Sequence, residues 1–268
     1  MKKQDKILMP VDFSECTLNT LLYAKSIAEA TQAELELLYV KSKDSETKTT
    51  RQKDYKERLA EIVDKDERLK NFPVTLNVCE GERIKEIIKF HKRHKCNLIV
   101  MGTKGANNLS RKFFGTNTLN IIQKVNCPVL AIPCNHAYKP IEKLVITTDM
   151  HSQSLKLMED SMHYFQGLHP EVHILHLNKE SDMATQTEFQ LSDLPGSVRK
   201  RFTYPGVKMY VSSFKDFNHG VDHFLQKHHA DLLIMFTKRR RFRESLFNKS
   251  LTLSRVGNLS LPLLAYPM

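Results

Sequence analysis

Residues 6–12 read KILMPVD, and residues 143–149 read KLVITTD. Each stretch is a short apolar run that ends in an aspartate and precedes a segment with helical spacing of its apolar residues. Apolar runs without alternation are typical of parallel strands that helices cover on both faces. Two such openings in one chain indicate two copies of one α/β unit.

Three further blocks repeat in the same order. The pairs are LELLYV (35–40) with VHILHL (172–177), NLIVM (97–101) with DLLIM (231–235), and CPVLAIP (127–133) with LPLLAYP (261–267). The first pair has the same offset of 137 residues as the openings, and the other two have an offset of 134. We interpret the chain as a duplication, with domains at 1–138 and 139–268 and a short linker near 135–140.

The first copy alternates strands and helices. The predicted strands are 7–11, 35–40, 74–78, 97–101 and 129–132, and the clearest helices are 17–30 and 83–94. This alternation predicts two tandem α/β domains, each a doubly wound, open five-stranded parallel sheet with helices on both faces. Two charged or polar inserts interrupt the pattern. Residues 41–70 are predicted to be partly helical around 55–63, and residues 178–203 are predicted to be mobile.

The segment after the fourth strand has glycines at a spacing suited to holding phosphate. Gly102 and Gly105 are followed, after nine residues, by Gly115, and Thr116 then opens the next helix. Glycine has no Cβ, so the main chain can turn tightly there and approach a ligand closely. The free amides of a helix N-terminus favour phosphate oxygens. Asp12, at the end of the first strand, can accept a hydrogen bond from ribose or adenine or help to place a metal ion.

This G-x-x-G-x₉-G-[ST] pattern differs from the Walker A loop and resembles the ATP-binding signature of the universal stress protein family. PVDFS at 10–14 and NCPVL at 126–130 are similar to that family's opening and closing strands, and the likeness extends along the whole chain as a tandem member. The resemblance implies two tandem Rossmann-like or flavodoxin-like domains with the sheet order 3-2-1-4-5. The ligand that it implies is ATP, ADP or AMP, with or without Mg²⁺. It also implies that the final strands, 129–132 and 263–266, pair within one molecule; a homodimer is a further expectation.

The predicted site combines the resemblance with the chemistry of the glycine loop. The predicted nucleotide-binding residues are Pro10, Asp12, Val40, Met101, Gly102, Gly105, Gly115, Thr116, Asn117 and Thr118. The alternative is that these glycines serve only turns and helix caps. No catalytic residue and no metal ligand is predicted, because no general base or water-positioning group accompanies the loop. Any hydrolysis of ATP is therefore expected to be slow.

The second copy keeps the aspartate, as Asp149, but loses the glycines. The equivalents of Gly102, Gly105, Gly115 and Thr116 are Phe236, Arg239, Lys249 and Ser250. Side chains stand where the main chain should approach phosphate, so this copy is predicted not to bind ATP in the same manner. A basic run, KRRRFR at 238–243, favours a solvated loop over an anion site, a partner-binding patch or a nucleic-acid contact.

Composition narrows the protein class. The net charge of +11 is spread over both halves, so nucleic acid is an unlikely partner. No apolar segment approaches the length of a membrane span, and the first apolar run is too short for a signal peptide. The five cysteines are scattered, which favours reduced thiols in a cytoplasmic protein. The histidine pairs at 219/223 and 91/94 are interpreted as exposed helix side chains with no role as metal ligands.

These observations favour a nucleotide-binding stress-response protein that acts as a ligand-regulated binding module. Two alternatives remain open at this point. One is a slow ATPase or phosphotransferase that uses the same loop, and the other is a ligand-free module that binds a protein or a nucleic acid.

Overall fold

The fold was examined in a computed structural model, which describes residues 4–42, 52–103, 116–178, 186–190, 193, 196, 204–214, 216–237 and 261–268. The chain divides into two compact units, Met1–Tyr138 and Lys139–Met268. None of the helices within the described ranges is long and apolar enough to cross a membrane.

Five parallel strands form the sheet of the first unit. They are β1 (Lys6–Val11), β2 (Glu34–Lys41), β3 (Val74–Glu80), β4 (Leu98–Gly102) and β5 (Val129–Ile132). The helices are α1 (Thr17–Thr31), α2 (Gln52–Asp64), α3 (Arg83–His94) and α4 (Thr116–Lys124), with a 3-10 turn at Glu67–Leu69. The order β3-β2-β1-β4-β5 confirms the predicted doubly wound α/β class in this unit.

Burial explains why the central strands read as continuous apolar runs. Residues 98–101 of β4 and all of β5 are buried, because helices cover both faces there. The edge strand β3 has no buried residue, which matches its mixed sequence. α3 turns one face to the sheet through Ile84, Ile87 and His91, at helical spacing.

The second unit has the same arrangement with one addition. Its strands are β6 (Lys143–Thr148), β7 (Glu171–Asn178), β8 (Gln186–Gln190), β9 (Val207–Ser213), β10 (Leu232–Thr237) and β11 (Leu263–Pro267). The helices among its described residues are α5 (Ser152–Met162) and α6 (Phe217–Lys227), with a 3-10 turn at Gln166–Leu168. Their order within the unit is β11-β10-β6-β7-β9-β8, the order of the first unit extended by β8.

The prediction of five strands is wrong for the second unit, because part of the 178–203 insert joins the sheet. β8 pairs antiparallel with β9, with Thr187 opposite Val211 and Phe189 opposite Met209. An antiparallel neighbour needs no helical crossover, so a short polar insert can supply it and cover the open edge of β9.

Hydrogen bonds repeat along with the strands. The side-chain oxygen of Asn97 accepts the amide of Lys6 at 3.0 Å, and that of Asp231 accepts the amide of Lys143 at 2.8 Å. In both units this contact ties the start of the fourth strand of the repeat to the start of the first. The two copies therefore share local geometry as well as strand order.

Candidate functional site

The topology places a crevice at the carboxyl ends of β1 and β4. The chain leaves β1 toward β2 on one side and returns from β3 to β4 on the other, which makes this the switch point of the sheet. Ligands of open α/β sheets bind in such crevices. Asp12 follows β1, and Gly102 ends β4, so these two predicted residues lie at the same edge.

A tight turn fixes Asp12. Its Oδ1 oxygen accepts the amide of Ser14 at 3.1 Å, and the intervening Phe13 has a φ of +57°. A bulky residue in this left-handed region is uncommon and marks a constrained turn. The half-buried Asp12 carboxylate is therefore held in one position at the end of β1.

Gly102 has a packing role that needs no ligand. A Cβ at this position would lie 3.2 Å from Thr20 Oγ1 and 3.6 Å from the Cβ of Cys16, at the start of α1. The Thr20 hydroxyl cannot move freely, because it donates a hydrogen bond to the carbonyl of Cys16 at 2.9 Å. The missing side chain at 102 lets α1 approach β4 closely.

The start of α4 is bonded to the end of β4. The buried Thr118 hydroxyl donates to the carbonyl of Gly102 at 3.1 Å, so the first turn of the helix stands beside the crevice. Asn117 is half-buried next to it, and α4 begins at Thr116. The hydroxyl of Thr118 is thus already engaged with the protein, and the amides of this first turn are the groups suited to an anion.

The remaining predicted residues contribute main chain at the edge of the sheet. Val40 and Met101 are buried, and Pro10 is half-buried within β1. Their side chains belong largely to the sheet layer, so only their main chain and that of their neighbours is suited to contact with a ligand. Gly105 and Gly115 lie outside the described residues.

An aromatic cluster beside the crevice was missed from sequence. Phe13, Tyr39 and Tyr55 pack with ring centroids 4.6 and 4.7 Å apart along the series, and the Arg58 guanidinium lies 4.2 Å from the Phe13 centroid. Burial and the neighbouring Tyr55 raise the pKa of Tyr39. The four residues come from the turn after β1, from β2 and from α2, so no local spacing in the sequence predicts the cluster. They give the crevice an aromatic wall and an exposed cation on the β2 side.

The prediction of five reduced thiols is wrong for Cys16 and Cys134, which form a disulfide. Their Cα atoms are 5.0 Å apart although 118 residues separate them in sequence. The fold brings them together, because Cys134 follows β5, the strand beside β4, while α1 packs over β4. A scattered spacing carries no sign of this contact.

The free thiols Cys96 and Cys127 are structural. Burial raises the pKa of each to about 12, so both stay protonated and unreactive at neutral pH. Cys127 lies 3.6 Å from Nδ1 of His91, whose Nε2 is 3.0 Å from Asn126 Oδ1. The expectation that His91 is exposed is wrong: it sits on the buried face of α3 and satisfies polar groups there. This Cys–His contact is not a catalytic pair, because its thiol is not ionised.

The equivalent edge of the second unit has a bulky side chain in place of a glycine. Asp149 accepts the amide of His151 at 3.2 Å and also accepts the hydroxyl of Ser154. Phe236 stands at the position of Gly102 and packs edge-on against Tyr266, with ring centroids 6.0 Å apart. The basic run 238–243 lies outside the described residues, so its role stays a prediction.

Comparisons of the sequence and of the fold with known proteins identify a family. Residues 4–133 match the model of the universal stress protein family. A universal stress protein of Methanocaldococcus jannaschii is 28% identical over 138 residues, which are 47% of this chain and 81% of that protein. The crystal structure of a universal stress protein from Archaeoglobus fulgidus covers 98% of this chain and 96% of its own, with a TM-score of 0.69 at 15% identity. A universal stress protein in complex with cAMP is 18% identical and covers 48% of this chain and 96% of its own, with a TM-score of 0.39.

The chain thus contains two units with the same doubly wound α/β strand order, and the first unit has a crevice at its switch point. Residues 4–133 carry the family match, and the chain belongs to the universal stress protein family through that unit. The likeness along nearly the whole length to the Archaeoglobus fulgidus structure extends the fold, at 15% identity, to the second unit.

Proposed function

We propose that the first unit binds ATP or a related adenine nucleotide in the crevice between β1 and β4, and that the second unit binds none. One observation carries the proposal: a fixed carboxylate, the end of β4 and the first turn of α4 share one edge of the sheet. A carboxylate suits ribose or adenine, and helix amides suit phosphate. The same edge of the second unit has Phe236 in place of Gly102.

The residues present fit a nucleotide. The aromatic wall formed by Phe13, Tyr39 and Tyr55 offers apolar ring surface for a base, mainly from the half-buried Phe13 and Tyr39, and the exposed Arg58 adds a positive charge near it. If Mg²⁺ accompanies the phosphates, the Asp12 carboxylate would contact that ion instead of the ribose or adenine. The bound nucleotide would stabilise the conformation of the first unit that binds it. A partner that recognises this conformation would then bind more tightly when the nucleotide is present, which is the regulatory role expected of a binding module.

A titration of the full chain with ATP tests the proposal. At 100 times the dissociation constant, ATP should stabilise the unit that binds it by about 2.7 kcal/mol. For a unit of this size the melting temperature should rise by about 5–10 °C. ADP, AMP and cAMP, titrated in parallel, would rank the nucleotides, and phosphate release measured in the same samples would detect turnover.

The duplication supplies a matched pair of variants. Asp12→Asn keeps an oxygen for the Ser14 amide and removes the charge, and Asp149→Asn does the same for the His151 amide. The ATP-induced rise should be lost in Asp12→Asn and kept in Asp149→Asn. A wild type that shows no rise with any nucleotide, or a rise lost only in Asp149→Asn, would contradict the proposal.

The proposal extends to the cellular location of the protein and to its association with other chains. We place the protein in the cytoplasm and in the stress response, on the strength of its family and of its ligand chemistry. Pairing of the final strands within one molecule, and association into a homodimer, stay predictions. Sedimentation of the full chain with and without ATP would test the homodimer.

A further inference from the structure

The Cys16–Cys134 disulfide stands beside the proposed nucleotide crevice. Cys16 precedes α1, and its Cβ lies 3.6 Å from the place of a Cβ on Gly102. Cys134 follows β5, whose last residue, Ile132, pairs with Gly102 and accepts the amide of Thr103 at 2.9 Å. The disulfide therefore joins the two elements that flank the end of β4.

The two sulfur-bearing residues differ in access. Cys16 is buried, with an exposed fraction of 3%, whereas Cys134 is partly exposed. A small thiol or peroxide can therefore reach Cys134 from solvent more readily than Cys16. This asymmetry is that of an attacked cysteine and its buried resolving partner.

Other contacts keep the two residues near each other. The Asn19 side chain donates to the carbonyl of His136 at 2.6 Å, and Tyr23 packs edge-on against Tyr138 with centroids 4.9 Å apart. Both contacts hold the segment 133–138 on α1 independently of the disulfide. After reduction, Cys134 stays close enough to Cys16 for the bond to form again.

We propose that Cys16 and Cys134 form a reversible redox pair that controls nucleotide affinity in the first unit. The oxidised form holds α1 against the end of β4 and presents a preorganised crevice. In the reduced form the contacts of Asn19 and Tyr23 remain, but the Cys16 end of α1 is freer against the end of β4, and the crevice binds nucleotide more weakly. This inference rests on the proposed function of the crevice.

Reduction needs a low-molecular-weight thiol. Its thiolate attacks Sγ of Cys134, which forms a mixed disulfide there and expels the Cys16 thiolate, and that thiolate takes a proton from water. A second thiolate attacks the reductant's sulfur in the mixed disulfide and expels the Cys134 thiolate, which is protonated in turn. Two protein thiols form, and two molecules of reductant are oxidised to one disulfide.

Oxidation needs a peroxide. The Cys134 thiolate attacks one oxygen of hydrogen peroxide, which forms a sulfenic acid and releases hydroxide. The Cys16 thiolate then attacks the sulfenic sulfur, forms the disulfide and releases a second hydroxide. With the two thiol protons, the products are one disulfide and two waters. A disulfide that persists in a reducing cytoplasm would be unusual, and a transient one that responds to oxidants fits that compartment.

Peptide mapping tests the redox pair without any nucleotide. The full-length variants C16S and C134S are incubated with oxidised glutathione, and each cysteine is then assigned by mass spectrometry. Glutathione is expected on Cys134 in C16S and not on Cys16 in C134S, with Cys79, the half-exposed free thiol, as the internal reference. Equal modification of the two, or none on Cys134, would overturn the assignment of roles.

Affinity measurements test the coupling. ATP is titrated by calorimetry into wild type oxidised with peroxide, wild type reduced with dithiothreitol, and C134S. Affinity should fall at least about fivefold on reduction, the lower end of typical coupling between sites. C134S should bind ATP with the affinity of the reduced wild type, and peroxide should not change that affinity. By reciprocity, saturating ATP should make the wild-type disulfide harder to reduce by the same factor.

The outcomes separate the two proposals. Equal ATP affinity in both redox states would overturn the redox control and leave nucleotide binding intact. No binding in either state would overturn both. Tighter binding after reduction would also overturn the inference, because the disulfide would then oppose the binding-competent arrangement.

Discussion

Gly102 offers a sharp test of how the crevice is built. In Gly102→Ala the new Cβ would lie 3.2 Å from Thr20 Oγ1, closer than most carbon–oxygen contacts, and that hydroxyl is held by the carbonyl of Cys16. Either α1 or the side chain must shift by a few tenths of an ångström. Overpacking of this kind costs about 1–2 kcal/mol of unfolding free energy.

A double-mutant cycle isolates that contact. Thr20→Ala removes the opposing oxygen, so Gly102→Ala in this background should cost less than about 0.5 kcal/mol, and the coupling between the two sites should reach about 1 kcal/mol. The urea dependence of hydrogen exchange in peptides covering β4 reports the first unit specifically. Gly196, in the second unit, is exposed and has no atom within 4 Å of an added Cβ, so it supplies a control in which nothing is overpacked. Gly196→Ala should leave exchange in the β4 peptides unchanged and should change the stability of the second unit by less than about 0.5 kcal/mol. Additive costs of the two substitutions would refute the packing role of Gly102.

Three further predictions concern stability. Cys134→Ser should lower the unfolding free energy of the first unit by up to about 5 kcal/mol, because it opens a loop of 118 residues; urea midpoints equal to those of the oxidised wild type would contradict this. Acidification from pH 6.5 to 4.5 should cost the second unit about 1–2 kcal/mol, because burial lowers the pKa of His228 to about 4, so the unfolded chain takes up the proton first. The hydrogen bond from His173 lowers the pKa of Glu171 to about 2, so the stability that this carboxylate contributes is lost only below pH 4.5. Burial also lowers the pKa of His173, so His228→Phe should reduce the change in urea midpoint across this window without abolishing it. Asp231→Ala should cost about 2–3 kcal/mol, because its carboxylate accepts two main-chain amides, and Asp231→Asn should cost about half as much by urea unfolding.

The sequence predicted the fold well because the signals are local and repeated. Continuous apolar runs located the strands of the first unit to within about two residues, since buried parallel strands tolerate few polar side chains. The repeat predicted the same order for the second unit. The edge strand β8 was not predicted, because QTEFQ at 186–190 is mostly polar and has no apolar strand pattern. It forms a strand by pairing with the open edge of β9.

The site was predictable only in part. The sequence placed Asp12 and Gly102 at one edge of the sheet because they stand at the ends of the first and fourth strands, which the topology brings together at the switch point; their role in binding stays a prediction. The Cys16–Cys134 pair and the cluster around Phe13 depend on contacts between distant segments, and no spacing in the sequence encodes them. His91 was misjudged because histidine on a charged helix looks exposed until the buried face of α3 is known.

Hydrogen exchange of the full chain with and without saturating ATP tests the central claim most directly, because it locates the ligand in one of two similar units. Occupation of the first unit should slow exchange in peptides covering 12–14, 101–103 and 116–118 and leave those covering 149–151 and 235–237 unchanged. Slowed exchange confined to the second unit, or no change anywhere at millimolar ATP, would contradict a nucleotide crevice between β1 and β4.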